Sequence, residues 1–331
     1  VGTNGATVAA FEREFSIYVG ARYAVALNSG TSTLHTALMA LGVRPGDRVT
    51  VPPLTMAATT IAVLHAGAVP VFADVDPRTW LMEDAGRLSI GVSLYGLHAP
   101  PDSVSRVDDA AQTLRPHGSA VFTSYSFQAS KILALGEGGM LVTNDEGVAA
   151  TAREFSSLGY RMSARQPRID PQTLKSPTFE RHYSLGYNFR MNDTTAAFGL
   201  RQLARADFLK QERHDCAAMY RDAIAGCDWL TPQYVPEGWG FDAWTYAVAT
   251  DTPARCLALL NAVERHGGER PYPAWRLTFS EPAFRHLDPG ADACPVARSV
   301  QPRLAQMQTN DLASSARNAA ALARAIAELS S

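Results

Sequence analysis

The sequence predicts an α/β fold, with a mostly parallel central sheet flanked by helices and a smaller C-terminal α+β domain. Three observations carry this. Between residues 23 and 143, short apolar runs alternate with stretches whose apolar residues recur at helical spacing. Glycines and prolines punctuate the joints, and strands that alternate with helices are joined by crossovers that give parallel pairing. The chain also has 331 residues and 46% hydrophobic content, enough for one large domain or two unequal ones.

Residues 23–28 form a short apolar run that breaks at Ser29-Gly30-Thr31-Ser32. Leu34, Ala37, Leu38 and Leu41 then mark a helix that Gly42 and Pro45-Gly46 end. Residues 49–52 read as a strand, 56–66 as a helix closed by Gly67, and 69–75 as the next strand. Further strands are expected at 89–94, 104–108, 120–126 and 140–143, with a helix over 146–158. Residues 160–182, rich in Arg, Pro and Ser, read as a long surface excursion, and loops of that length are usually functional or intersubunit arms. Residues 194–225 read as one long amphipathic helix. Beyond it a strand is expected at 244–248 and helices at 254–265 and 313–329. The domain boundary falls near residue 225, giving a large domain over 1–225 and a small one over 226–331.

The net charge is -2 and both signs are scattered, so no basic run suggests nucleic acid or a polybasic membrane patch. No apolar stretch approaches the roughly 20 residues that span a bilayer. The first residues lack the basic–apolar–small order of a secretory leader. Cys216, Cys227, Cys256 and Cys294 form no Cys-x-x-Cys pair and have no His nearby to complete a zinc pattern. Unpaired cysteines suit a reducing compartment, so a cytoplasmic protein without a metal is expected.

Lysine usage is the most informative feature of the composition. Of 30 basic residues only Lys131, Lys175 and Lys210 are lysines, leaving 27 arginines. Arginine supplies the routine charge, so a lysine is more often present for what an amine alone can do, such as forming a Schiff base. Lys175 lies in a polar stretch and Lys210 among Gln211, Glu212 and Arg213, where a solvated helix face is expected. Lys131 follows an expected strand in Ser126-Phe127-Gln128-Ala129-Ser130-Lys131-Ile132-Leu133, with apolar or small flanks that desolvate it. Desolvation lowers an amine's pKa and frees it to attack an aldehyde. Asp108 and Asp109 sit at the end of another strand, where parallel sheets face their ligand crevice. Alternation along a strand lets one of the two reach that crevice. A pyridoxal cofactor needs such a carboxylate at its ring nitrogen to keep it protonated. Asn28-Ser29-Gly30-Thr31-Ser32 joins a strand to a helix whose N-terminal amides suit a phosphate. Gly136-Glu137-Gly138-Gly139 lacks the Lys-Ser/Thr of a nucleotide P-loop and reads as close backbone packing near the lysine.

Together these segments resemble the DegT/DnrJ/StrS family of pyridoxal-phosphate aminotransferases, which aminate keto-sugars and cyclitols. The resemblance runs through Phe11-Glu12 with Phe15, Asn28-Ser29-Gly30-Thr31, Val51-Pro52-Pro53-Leu54-Thr55 and Gly67-Ala68-Val69-Pro70-Val71-Phe72. It continues with Asp109-Ala110-Ala111-Gln112, Ser126 to Lys131, Gly136 to Leu141 and Gly186-Tyr187-Asn188-Phe189-Arg190-Met191, in the family's order. The C-terminal third is similar only loosely.

The resemblance implies a fold-type-I aminotransferase and a homodimer with shared active sites. It assigns the Schiff base to Lys131, the pyridine-nitrogen contact to Asp109 rather than Asp108, and a ring-hydroxyl contact to Gln112. The implied phosphate contacts are Thr31, Ser32 and Ser126, with Asn188 from the second subunit. Met56 stands where the family usually stacks an aromatic residue on the cofactor. Arg190 is a further candidate, for a donor carboxylate or a substrate phosphate. The segments 84–95, 96–108 and 112–124 are shorter than is usual, so the crossover before Asp109 is expected to lack its helix. The chain also starts late against the family, and Leu158-Gly159 replaces a common His-Gly. The expected activity is transfer of an amino group from glutamate or glutamine to a ketone of a sugar nucleotide or cyclitol, in secondary metabolism. The alternatives are another pyridoxal-phosphate reaction on the same fold, such as dehydration, aromatisation or carbon–carbon bond formation, or a catalytically silent regulatory homologue.

Overall fold

The fold is that of a computed structural model, which describes residues 5–83, 86–100, 106–163 and 169–330. A first helix, α1 (Ala6–Val19), precedes β1 (Tyr23–Leu27), α2 (Gly30–Ala40), β2 (Arg48–Val51), α3 (Ala58–His65) and β3 (Val69–Phe72). Next come β4 (Ile90–Val92), β5 (Val107–Asp109), β6 (Phe122–Ser126), β7 (Gly139–Thr143) and α4 (Glu146–Ser156). The long polar segment contains the short α5 (Pro171–Lys175), followed by α6 (Asp193–Leu203) and α7 (Ala206–Ala223). The C-terminal part is β8 (Leu230–Pro232), β9 (Thr245–Thr250), α8 (Pro253–Arg265), β10 (Tyr272–Pro273), α9 (Pro295–Val300), β11 (Leu304–Gln308) and α10 (Leu312–Ser330).

Among the described residues the large sheet runs β1-β7-β6-β5-β4, and a parallel bridge from Thr50 to Ser89 continues it into the parallel pair β2-β3. Only β7 runs against its neighbours. Every residue of β1 and of β7 is buried, as befits strands covered on both faces. One face packs on α2, α3 and α4 through Val25, Leu34, Leu38, Val63, Phe122 and Leu141. The other packs on α1 and α6, where Phe15 meets the Tyr125 ring at 5.0 Å and Phe11 meets Phe127 at 5.5 Å. A buried bidentate pair locks α1 to α4: Arg153 donates to both Glu12 oxygens at 2.9 Å, and Glu12 also accepts from the Ala26 amide.

The small sheet is antiparallel, in the order β10-β11-β9-β8. Its two faces follow the strand period: Tyr246 and Val248 of β9 join α7, α8 and α10 in one core, while Ala247 and Ala249 face Trp80, Val92 and Tyr95 of the large sheet's side.

Three expectations need correction. The helix expected over 56–66 starts at Ala58, which leaves Met56 in the preceding loop. The helix expected over 194–225 is two helices, broken where Arg205 leaves helical geometry (φ -120, ψ 16). The break lets α6 pack on α1 while α7 turns to α10. Lys210 is not on a solvated face. Its Nζ lies 2.9 Å from the buried Asp242, which also accepts from the Leu114 amide at 2.7 Å and lies 2.9 Å from His98 Nε2. Burial opposes the charge on Asp242, but His98 and Lys210 outweigh it and hold its pKa at about 2.

Residues 104 and 105 of one expected strand, 84–85 and 164–168 lie outside the described residues. Among those described, no α-helix occurs between β3 and β4, between β4 and β5 or between β5 and β6, in line with the shortened segments.

Candidate active site

The turn after β6 presents Lys131. It closes through Ala129 N–H to Gly136 O (3.0 Å), Lys131 N–H to Gln128 O (2.9 Å) and Leu135 N–H to Phe127 O (2.8 Å). A Cβ on Gly139 would lie 2.5 Å from the Ser29 carbonyl oxygen, so a side chain there would push the start of β7 off the α2 N-terminus. The Lys131 Nζ sits 4.5 Å from the centre of the Trp244 ring. Burial pulls the pKa of this amine down to about 8, with the Asp109 carboxylate resisting and the Arg213 guanidinium adding to the fall.

Asp108 and Asp109 point to opposite faces at the end of β5. Asp108 turns back to Arg115 (2.7 Å), and Ser93 Oγ donates weakly at 3.4 Å. Asp109 lines the same cavity as Lys131. Thr59 Oγ1 of α3 donates to its Oδ2 at 2.8 Å and the Ala111 amide to its Oδ1 at 3.2 Å. Burial raises the Asp109 pKa, and these two hydrogen bonds oppose the rise.

Gly30 and Thr31 are the first residues of α2, whose leading N–H groups have no partner within the helix. Glycine is needed at 30, because a Cβ would come within 2.8 Å of the Ser126 side chain. The α2 N-terminus and Ser126 therefore form one polar cradle. Ser32 does not line it. Its hydroxyl donates to Asn28 Oδ1 and Ser29 O (both 2.8 Å), and its amide donates to Ser29 Oγ (3.1 Å). Helix capping engages both groups, so Ser32 supports the cradle from behind in this structure.

The cavity holds about 450 Å³ and brings together Thr31, Met56, Asp109, Gln112, Ser126 and Lys131. Met56 is 50% exposed at its edge rather than part of the core, with Ala58 N–H directed at its sulfur. Gln112 is buried, and its Oε1 accepts from the Tyr95 amide at 2.5 Å. Asn188 is exposed and pairs with Ser157 through the backbone, outside the lining of this chain's cavity. Arg190 pairs with Leu27 at the end of β1 and likewise does not line it.

Four residues of the site were not singled out from sequence. Thr59 holds Asp109 from α3. Trp244 and Trp275, 6.3 Å apart, wall the cavity from the C-terminal part. Arg213 of α7 donates to the Trp244 carbonyl (2.9 Å) and reaches the Lys131 carbonyl (3.5 Å), tying tryptophan to lysine. Among the described residues, no group of His, Cys, Asp and Glu is arranged to hold a metal ion.

The sequence profile of the DegT/DnrJ/EryC1/StrS aminotransferase family matches residues 1–86 and 107–318, passing over the stretch that holds the shortened crossovers. The spore coat polysaccharide biosynthesis protein SpsC of Bacillus subtilis is 35% identical over 269 residues, covering 73% of this chain and 67% of its own. GDP-perosamine synthase of Caulobacter vibrioides is 34% identical over 254 residues, covering 68% of this chain and 64% of its own. The chain thus spans about two thirds of the length of these curated relatives. In fold, Helicobacter pylori PseC, an aminotransferase involved in the biosynthesis of pseudoaminic acid, superposes with a TM-score of 0.85 at 22% identity, over 99% of this chain and 93% of that one. The chain belongs to the DegT/DnrJ/EryC1/StrS family of aminotransferases, which are pyridoxal-phosphate-dependent transferases.

Proposed function

We propose that this chain transfers an amino group from glutamate or glutamine to a ketone of a sugar nucleotide or cyclitol. The observation that carries the reading is the meeting, in one cavity, of a buried amine at Lys131, a buried carboxylate at Asp109 and the cradle of Gly30, Thr31 and Ser126. These groups fit pyridoxal phosphate. Lys131 would hold its carbonyl carbon and Asp109 its ring nitrogen. Thr31, Ser126 and the first amides of α2 would hold its phosphate, with Asn188 of a second copy. Gln112 would meet the ring hydroxyl and Met56 would lie against the ring. The bound cofactor supplies an electron sink for the pair left when a proton leaves the substrate carbon.

The chain's own residues would do the rest. Among the described residues Asp109 has no cation among its hydrogen-bond partners, and a protonated ring nitrogen is the charge that would offset its burial. Lys131 Nζ takes the proton from the carbon that bears the donor nitrogen and returns a proton to the acceptor carbon. Trp244 and Trp275 screen that amine from water.

A test follows from the lowered pKa of Lys131. Only the neutral amine attacks an aldehyde, and it is half neutral near pH 8 rather than 10.5. Covalent capture of pyridoxal phosphate by the apoprotein should therefore quicken with pH and level off just above 8, as followed by stopped-flow absorbance. The unfolded chain keeps the higher pKa, so this lysine also adds stability as pH rises from 8 to 10.5. A capture rate still climbing at pH 10 would contradict the desolvated setting.

The proposed assembly is a homodimer with shared sites. It is supported by Leu185, 96% exposed, and Tyr187, 51% exposed, in the segment that leads to Asn188. Mixing inactive Lys131→Ala with inactive Asn188→Ala protein should restore about a quarter of native activity, because each mixed dimer rebuilds one of its two sites. No recovery after subunit exchange, or full activity of Asn188→Ala alone, would remove Asn188 from the site.

The name of the perosamine relative favours a nucleotide-linked keto-sugar as the acceptor class. The reaction is tested by following ¹⁵N from labelled glutamate or glutamine into products across a panel of keto-sugar nucleotides and keto-cyclitols. Labelled amine in a product supports the reading. Cofactor binding with loss of water from the sugar, and no label, contradicts it.

A further inference from the structure

A second and larger cavity, about 750 Å³, lies between residues 77–80, α7 and the small sheet. Among the described residues it shares no lining residue with the cavity of Lys131. It also adjoins the stretch of residues 87–106 that the family profile passes over: Gln233 of its wall donates to the Leu94 carbonyl at 3.3 Å. Its volume is in the range of small-molecule sites.

The charge of the lining is one-sided. Among the described residues, Arg78, Arg221 and Arg303 line it, with His214, and no Asp or Glu does. In a chain with 32 acids and 30 bases this is not the composition of an average surface. Among the described residues neither Arg78 nor Arg303 makes a direct ion pair, although the Asp76 carboxylate, two positions away, interacts with Arg78 through space. Arg303 donates to the Ser299 and Thr250 carbonyl oxygens, at 2.9 and 3.2 Å. Arg78 lies over the Tyr234 ring, 4.5 Å from its centre. Among the described residues Arg221 pairs only with its neighbour Asp222, in an exposed contact of little energetic weight.

The remaining wall is apolar and aromatic, with Trp80, Phe241 and Tyr246. It also holds a buried acceptor without a donor. Gln233 Nε2 is committed to the Thr79 carbonyl at 2.8 Å as well as to Leu94, which fixes the amide, and its Oε1 has no partner among the described residues. Arginines from three separate elements suit an anion with several charged oxygens. Aromatic walls and a waiting amide oxygen suit a flat ring with an N–H edge. From this conjunction we infer that the cavity is a second ligand site, for a nucleoside diphosphate. The site stands apart from the cofactor and does not depend on which ketone is aminated.

Guanosine diphosphate is the probe, because guanine carries N–H donors for Gln233. Calorimetric titration of the cofactor-loaded protein should show binding that leaves the cofactor's absorption band unchanged. Arg78→Glu and Arg303→Glu should each weaken this binding about tenfold or more. Both variants should keep the absorption band at native intensity, which shows that they fold. Guanosine alone and pyrophosphate alone should each bind about tenfold or more weaker than the diphosphate. Three results would overturn the inference: no binding at about 1 mM, the range of the weakest specific sites; equal affinity in wild type and both variants; or pyrophosphate binding as tightly as the nucleotide.

Discussion

Lys131→Ala is expected to lower amino transfer by roughly 10²–10⁴-fold or more, the share a positioned acid–base group contributes. The substitution removes the only lysine in the cavity, and with it both the covalent hold on the cofactor and the proton carrier. Lys131→Arg should fail equally, since a guanidinium keeps the charge but forms no Schiff base. That pair of variants separates chemistry from packing. The other lysines cannot substitute. Lys175 ends the short α5 on the surface, and Lys210 is engaged by Asp242. Lys175→Ala should behave as wild type. Lys210→Ala should lose stability, because it strips one cation from a buried carboxylate, but should keep the cofactor. Transfer of ¹⁵N from labelled glutamate is the readout, and a Lys131→Ala protein within tenfold of native would refute the assignment.

Asp109→Asn is expected to leave cofactor capture intact and to slow transfer by about 10- to 10³-fold. The magnitude follows from an adjacent opposite charge, which commonly shifts a pKa by roughly 1–3 units. Asparagine keeps the size of the side chain and can still meet Thr59, so the loss isolates the charge. Asp108→Asn is the contrasting case. It breaks the buried pair with Arg115 at 2.7 Å, which commonly costs about 3–5 kcal/mol, so thermal unfolding should move down while turnover by the folded fraction stays near native. The reverse pattern, with Asp108→Asn catalytically dead and Asp109→Asn normal, would exchange the two roles.

Much of the site was legible because its chemistry is local. Lys131 stood out by lysine scarcity and apolar flanks, and the strand–Ser29–Gly30 junction by its turn chemistry. Alternation along β5 required one of Asp108 and Asp109 to face the crevice. From the residues alone the choice stayed open, because it depends on Arg115, which a turn brings behind the strand. The capping role of Ser32 was not legible, because capping competes for the same hydroxyl that a phosphate would use, and sequence does not rank the two. Lys210 was misread because its partner lies 32 positions away and is buried by other segments. Trp244 and Trp275 approach Lys131 only through packing of the C-terminal part against the large sheet, and Arg213 only through the placement of α7. By contrast, α1 was within reach: Val8, Phe11, Phe15 and Val19 fall on one helical face, all buried.

The central claim is that Lys131 carries the cofactor for amino transfer. Borohydride reduction of the protein loaded with pyridoxal phosphate, followed by peptide mass spectrometry, tests it most directly. A pyridoxyl group fixed on Lys131 alone, and lost when glutamate is added before the reductant, is the predicted result. A label on Lys175 or Lys210, or a label on Lys131 that glutamate does not displace, would contradict it.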